Sequence, residues 1–144
     1  MTGLPGAINV ESLERLKTRN VAGEGTGEGR LVQVSMEQIL AWNPEVIITI
    51  DPLFYRSVLD DPVWQPVQAV KDKRVYMAPV LPFGWIDFPP SVNRLIGLKW
   101  LGSVLYPELF PEDLHETTRA FFKLFYHLEL SDAQLNELLE PVEV

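Results

Sequence analysis

Ser35-Met36-Glu37-Gln38-Ile39-Leu40-Ala41-Trp42-Asn43-Pro44-Glu45-Val46-Ile47-Ile48-Thr49-Ile50-Asp51-Pro52 is the stretch on which the fold turns. Ser35 and Gln38 stand three apart ahead of an apolar run, the spacing of a capping box that opens a helix. Ile39, Leu40 and Trp42 carry that helix forward, and Pro44, lacking an N–H, forbids its continuation. Residues 45–50 then read as a strand that is apolar on both faces. Such a strand suits a parallel sheet covered by helices on both sides. Asp51 at N-cap and Pro52 at the first helical position restart a helix filled by Leu53, Phe54, Tyr55, Val58 and Leu59.

Working outward, Asp61-Pro62 repeats the same start signal for a helix carrying Val63, Trp64 and Val67. The polar turn Lys71-Asp72-Lys73 leads into a second strand over 74–78. Helix, strand, helix, strand in that order predicts an α/β fold, a small three-layer sandwich with a mostly parallel short sheet flanked by helices. Asn20-Val21-Ala22 is a candidate third strand. Upstream of it, Val10, Leu13 and Leu16 recur at helical spacing over about 9–18. The glycine-rich run from Gly23 to Gly29 lacks the Gly-Lys-Ser/Thr ending of a phosphate cradle, and its Glu24 and Glu28 would repel phosphate, so a solvated acidic loop is expected there.

Downstream, residues 79–90 hold Phe83, Trp85, Ile86 and Phe88 among four prolines, with a lone carboxylate at Asp87. Recurrent prolines exclude a regular helix. A helix with a broad apolar face is expected from Ser91 (Val92, Leu95, Ile96, Trp100, Leu101). Another spans about 111–128, and a second capping box at Ser131–Gln134 opens a last short one.

Composition narrows the function classes. The chain has 144 residues, 47% hydrophobic and 22% charged, the profile of one ordinary globular domain. A net charge of −8 with no basic cluster argues against nucleic acid as a partner. The absence of cysteine removes disulfides, thiolate metal sites and cysteine nucleophiles. His115 and His127 lie in one predicted helix without a zinc-binding spacing, and an exposed helix face accounts for them better than a metal. No Gly-x-Ser-x-Gly elbow occurs. Neither a catalytic apparatus nor a cofactor is expected. The first six residues have neither the basic region nor the apolar run of a signal peptide. The apolar stretch 95–110 is broken by Lys99, Pro107 and Glu108 and cannot span a bilayer.

Candidate binding residues follow from the strand ends. In open α/β sheets, ligands collect in the crevice beyond the carboxyl ends of the strands. Asp51, Phe54 and Tyr55 lie just past one such end; capping by Asp51 with packing of the two rings is the competing reading. The 79–90 segment lies past the other end. There Trp85 reads as a rigid ligand wall, with a hydrophobic plug over the sheet end as the alternative, while Ile86 and Phe88 are expected to be buried. Glu37 stands in the first turn of its helix, where the helix dipole stabilises a negative charge.

The string from Val34 to Ile48 resembles the Val-Ser-x-Glu-Gln-x-Leu…Pro-Asp-Val-Ile-Ile signature of periplasmic substrate-binding proteins that serve ABC importers of iron–siderophore, haem, cobalamin and, in some members, molybdate or tungstate. Two further segments agree: Val67-Gln68-Ala69-Val70-Lys71-Asp72-Lys73-Arg74-Val75-Tyr76, and Phe83-Gly84-Trp85 followed by Pro89-Pro90-Ser91-Val92-Asn93-Arg94-Leu95-Ile96-Gly97. The C-terminal helices, with Phe122 and Phe125-Tyr126 before Leu130-Ser131, also suit the group. The likeness covers the C-terminal half of a family whose members hold ligand between two α/β lobes. It implies one lobe of such a clamp, with the N-terminal lobe, linking helix and export signal absent from this sequence.

By resemblance, Glu37 matches the glutamate that docks onto arginines of the membrane permease. Phe83, Trp85 and Asp87 fall in the ligand-meeting loop, and Leu31 falls near another contacting position. The implied function is reversible capture of an iron chelate or related metal complex, with molybdate or tungstate as the alternative, for delivery to ABC permease subunits outside the cytoplasm. A bared interlobe surface implies possible self-association. A stand-alone protein-interaction module is the remaining alternative.

Overall fold

The computed structural model describes residues 1–23, 31–87 and 89–140. Strand β1 (Thr2–Gly3) pairs antiparallel with β2 (Leu31–Val32) in a small separate ribbon. Between them come a 3-10 turn at Ile8–Val10, helix α1 (Glu11–Arg15) and a second 3-10 turn at Val21–Gly23. That last turn replaces the strand expected at Asn20–Ala22. The Asn20 side chain is the cause: its Oδ1 accepts from Ala22 N (3.1 Å) and its Nδ2 donates to Gly3 O (2.8 Å), closing a local turn in place of a ladder. The expected acidic loop, from residue 24 onward, lies outside the described residues.

Helix α2 (Met36–Trp42) opens on the expected capping box, with Ser35 Oγ accepting from Gln38 N (3.3 Å) and Gln38 Oε1 accepting from Ser35 N (2.9 Å). It ends at Asn43 in the left-handed conformation (φ 41°), immediately before Pro44. Strand β3 (Ile47–Thr49) then pairs in parallel with β4 (Val75–Met77), Ile47 opposite Val75 and Thr49 opposite Met77. Between these strands lie α3 (Pro52–Ser57) and α4 (Gln68–Lys71).

The helix expected from Asp61-Pro62 is instead a series of turns. Trp64 N bonds to Asp61 O and Val67 N to Trp64 O, each three residues back. Pro66 brings no N–H to extend the pattern and disfavours helical backbone at Gln65, so helix begins only at Gln68.

Alternation along the two strands builds the layers. Ile47 and Val75 point into a cluster of Val58, Val67, Ala69 and Val70, joined by Met36, Ile39, Phe54, Tyr55 and Trp64 from the α2–α4 side. Ile48 and Tyr76 point the other way, onto Ala78, Trp85, Ile86, Ile96, Trp100, Leu101, Phe121 and Phe122. The second cluster is supplied by α5 (Asn93–Leu105) and α6 (Leu114–Tyr126), with Leu13 of α1, Leu16 just past its end and Leu138 of α7 (Asp132–Leu139) packed on it. Helices therefore cover both faces of a two-stranded parallel sheet. Each fully buried side chain of this size contributes about 1.5–3 kcal/mol, so the helical layers rather than two short strands carry most of the stability. Among the described residues no helix is long and apolar enough to cross a membrane.

Candidate ligand-binding site

The last rung between the parallel strands is Ala78 N donating to Thr49 O (2.8 Å). Beyond it, Ile50–Asp51 and the segment from Pro79 leave the sheet side by side, forming its carboxyl edge. Asp51 is exposed, but its carboxylate is engaged: Oδ1 accepts from Leu53 N (2.9 Å) and Phe54 N (3.3 Å), and its own N–H donates to Thr49 Oγ1 (3.0 Å). Phe54 meets Trp64 edge-on at 4.9 Å, and Phe54 and Tyr55 are both half-buried against the smaller cluster. Capping and packing thus account for these three residues.

Trp85 is not a ligand wall. Its ring is completely buried in the larger cluster, its Nε1 donates to Leu81 O (2.9 Å), and its backbone N–H donates to Pro79 O (3.1 Å). A large apolar ring whose one polar atom is satisfied inside the loop gains most by facing the core. Gly97 of α5 lies against the Trp85 backbone so closely that a Cβ there would stand 1.8 Å from the carbonyl oxygen. Ile86 is buried as expected, Asp87 is half-buried, and Phe88 lies outside the described residues.

Phe83 is the ring that faces outward, 46% exposed. Its backbone is held from below: Phe83 O accepts from Nδ2 of the fully buried Asn93 (2.9 Å), and Asn93 Oδ1 accepts from Tyr126 OH (2.6 Å). Leu81, Ile50 and Leu53 are also exposed on segments leaving this edge. Sequence reasoning missed these three as site residues. For Leu53 the signal was available, since Phe54 and Val58 are four apart and define the inward face, which leaves Leu53 turned away. Leu31 is half-exposed on β2, in the separate antiparallel pair rather than on this edge.

Glu37 is exposed in the first turn of α2. A hydrogen bond from the Ser35 side chain, with help from its own backbone N–H, holds its carboxyl below the ordinary value of 4.5, so it is ionised at neutral pH. His115 is exposed, its Nε2 lying 2.9 Å from Asn136 Oδ1, and His127 is the exposed left-handed residue ending α6.

Among the described residues, the two cavities at the sheet ends are too small or too open to enclose a ligand. A crevice of about 10 Å³ separates 77–81 from Glu137–Glu140, room for roughly one water. At the opposite, amino end of the strands an open polar groove of about 360 Å³ is lined by Asn43, Glu45, Gln68, Asp72 and Arg74. Part of its lining is satisfied internally, Gln68 N donating to Asn43 Oδ1 (2.9 Å) and Gln68 Nε2 to Asp72 Oδ2 (2.7 Å). The carboxyl edge is therefore an open, mainly apolar face.

The family model described as "Periplasmic binding protein" matches residues 10–80. The molybdate-binding protein MolA of Haemophilus influenzae is 36% identical over 97 residues, covering 65% of this chain and 27% of MolA. Among solved structures, an ABC transporter solute-binding protein from Sulfurospirillum deleyianum superposes with a TM-score of 0.86 at 36% identity, covering 95% of this chain and 43% of that one. Helicobacter pylori CeuE, solved as a nickel–histidine complex, gives 0.72 at 27% identity over 96% of this chain and 44% of its own. The chain spans less than half the length of each of these relatives. From the matching segment through α2, β3, α3 and β4, and from a superposition that takes in nearly all of its helices and strands, this chain belongs to the periplasmic binding protein family.

Proposed function

We propose that this chain supplies one face of a capture site for a metal chelate, binding it reversibly with no bond made or broken. One observation carries the reading: the carboxyl edge exposes four apolar side chains, Ile50, Leu53, Leu81 and Phe83, with Asp51, Asp87 and, on α3, Arg56 as the charged residues beside them. An apolar rim with charges of both signs at its margin favours a ligand with apolar flanks. A bare oxyanion gains nothing from apolar contact with Ile50, Leu53, Leu81 and Phe83. Molybdate is the second reading, favoured by the 36% identity with MolA.

An open face excludes little water and supplies contacts from one side, so tight binding calls for an opposing lobe of the kind the family uses. In that arrangement Glu37, exposed and ionised, is the docking charge for an arginine on the membrane permease, and the setting is outside the cytoplasm. A second copy of this chain covering the same face is the competing occupant.

Calorimetry with a gallium-loaded trihydroxamate, nickel(II)–histidine and molybdate tests the ligand class. Weak, saturable binding of a chelate that Phe83→Ala abolishes and Glu37→Ala leaves intact is expected. Binding of molybdate alone, indifferent to Phe83→Ala, would replace the chelate reading with the oxyanion one, and sub-micromolar binding by a monomer would remove the need for an opposing lobe. Co-purification with the permease should be lost in Glu37→Lys.

A further inference from the structure

Asn93 is an amide with no exposure at all, placed at the first turn of α5, and both ends of its side chain are used across the fold. Nδ2 donates to the carbonyl of Phe83 (2.9 Å), ten residues earlier in the ligand-facing segment; Oδ1 accepts from the hydroxyl of Tyr126 (2.6 Å), thirty-three residues later at the end of α6. Tyr126 is itself fixed by stacking on Phe122, ring centroids 5.1 Å apart at 28°. Burial holds its phenol above the ordinary value of 10, so it keeps its proton and donates at neutral pH.

Leu81 and Trp85, two positions either side of Phe83, are bonded to each other, and Trp85 is packed against α5. The Leu81 carbonyl accepts from Trp85 Nε1, and the Trp85 carbonyl sits against Gly97 with no room for a Cβ. Phe83 thus has an exposed ring on a backbone gripped from beneath at three successive odd positions. A buried amide that satisfies both its donor and its acceptor fixes one orientation, because any rotation leaves a polar atom unpaired in a dry interior.

We propose that Asn93 and Tyr126 are positioning residues, a Tyr126–Asn93–Phe83 relay by which α6 fixes where the Phe83 ring stands on the capture face. Why that ring needs fixing rests on the chelate-capture reading; the relay itself does not. Rigid presentation of an aromatic anchor lowers the ordering cost that binding would otherwise incur.

Phe83-Gly84 is the one Phe-Gly peptide in the sequence. Carbonyl-¹³C phenylalanine with ¹⁵N glycine therefore isolates a single cross-peak that reports on the gripped carbonyl. Tyr126→Phe keeps the stacked ring and removes only the hydroxyl; Asn93→Ala removes the bridge. Both are expected to shift and broaden this peak. Val67→Ala, a cavity in the other core cluster, is expected to lower melting temperature to a similar degree and leave the peak in place. An unmoved, equally sharp peak in folded Tyr126→Phe, or an equal change in Val67→Ala, overturns the relay. Titration with the gallium trihydroxamate separates the two ideas. If the wild-type chain binds, Tyr126→Phe should weaken binding several-fold, and undiminished binding with a broadened peak overturns the positioning role. If the wild type does not bind while the peak still responds to Tyr126→Phe, the chelate reading fails and the relay stands.

Discussion

Trp85 and Phe83 sit two residues apart in one proline-bounded segment and meet opposite environments. Truncating the buried ring, Trp85→Ala, should cost about 3–5 kcal/mol, whereas Phe83→Ala at the exposed position should stay within roughly 0.5 kcal/mol, both read from urea unfolding. Gly97→Ala should destabilise by about 1–3 kcal/mol or more, because the added methyl meets the Trp85 backbone, which cannot swing aside as a side-chain tip can. Thr118 is a case of the opposite sign. Its side chain is buried on α6 and its Oγ1 has no partner among the described residues, so Thr118→Val should raise stability by about 1 kcal/mol. The aromatic richness of 79–90 was plain in the sequence. Which ring turns outward was not, because the choice is made by Asn93 and Gly97, residues beyond the segment whose contacts leave no local pattern.

At the scale of elements, caps carry the legible signal. Ser35, Asp51 and Ser131 open helices where the sequence places them, since a cap and its partner are only two or three residues apart. Asp113 caps α6 in the same way and moves its start from the expected 111 to Leu114. The misread elements failed for physical reasons of longer reach: Asn20 is drawn into a turn by Gly3, seventeen residues away, and Pro66 interrupts a helix that Asp61-Pro62 would otherwise start. Ser35→Ala should cost about 1 kcal/mol in denaturant melts, the usual worth of an N-cap. The same change should raise the Glu37 pKa back toward 4.5 in an NMR titration, since the Ser35 hydrogen bond is the larger cause of its depression. With a folded value below the unfolded one, the Glu37 contribution is present above pH 4.5 and is lost as pH falls through the lowered value. In Ser35→Ala that acid-side dependence should shrink.

Across the whole molecule, two three-residue strands separate two apolar clusters, and helices on both sides provide the bulk of the burial. The three-layer plan was legible because Val46-Ile47-Ile48 is apolar without alternation, which only a doubly covered strand tolerates. What such a plan leaves uncovered is its carboxyl edge, where Ile50, Leu53, Leu81 and Phe83 stand in the open, while the polar groove of Asn43, Gln68, Asp72 and Arg74 occupies the far end. On the proposed reading, capture takes place at the first of these and not at the second. Backbone amide shifts of the ¹⁵N-labelled chain, followed while a gallium trihydroxamate is added, decide between them. Perturbations gathered at Ile50, Leu53, Leu81 and Gly84, with the chelate recovered chemically unchanged, are predicted. Perturbations gathered at Asn43, Gln68, Asp72 and Arg74, or a chelate returned altered, would contradict reversible capture at the carboxyl edge.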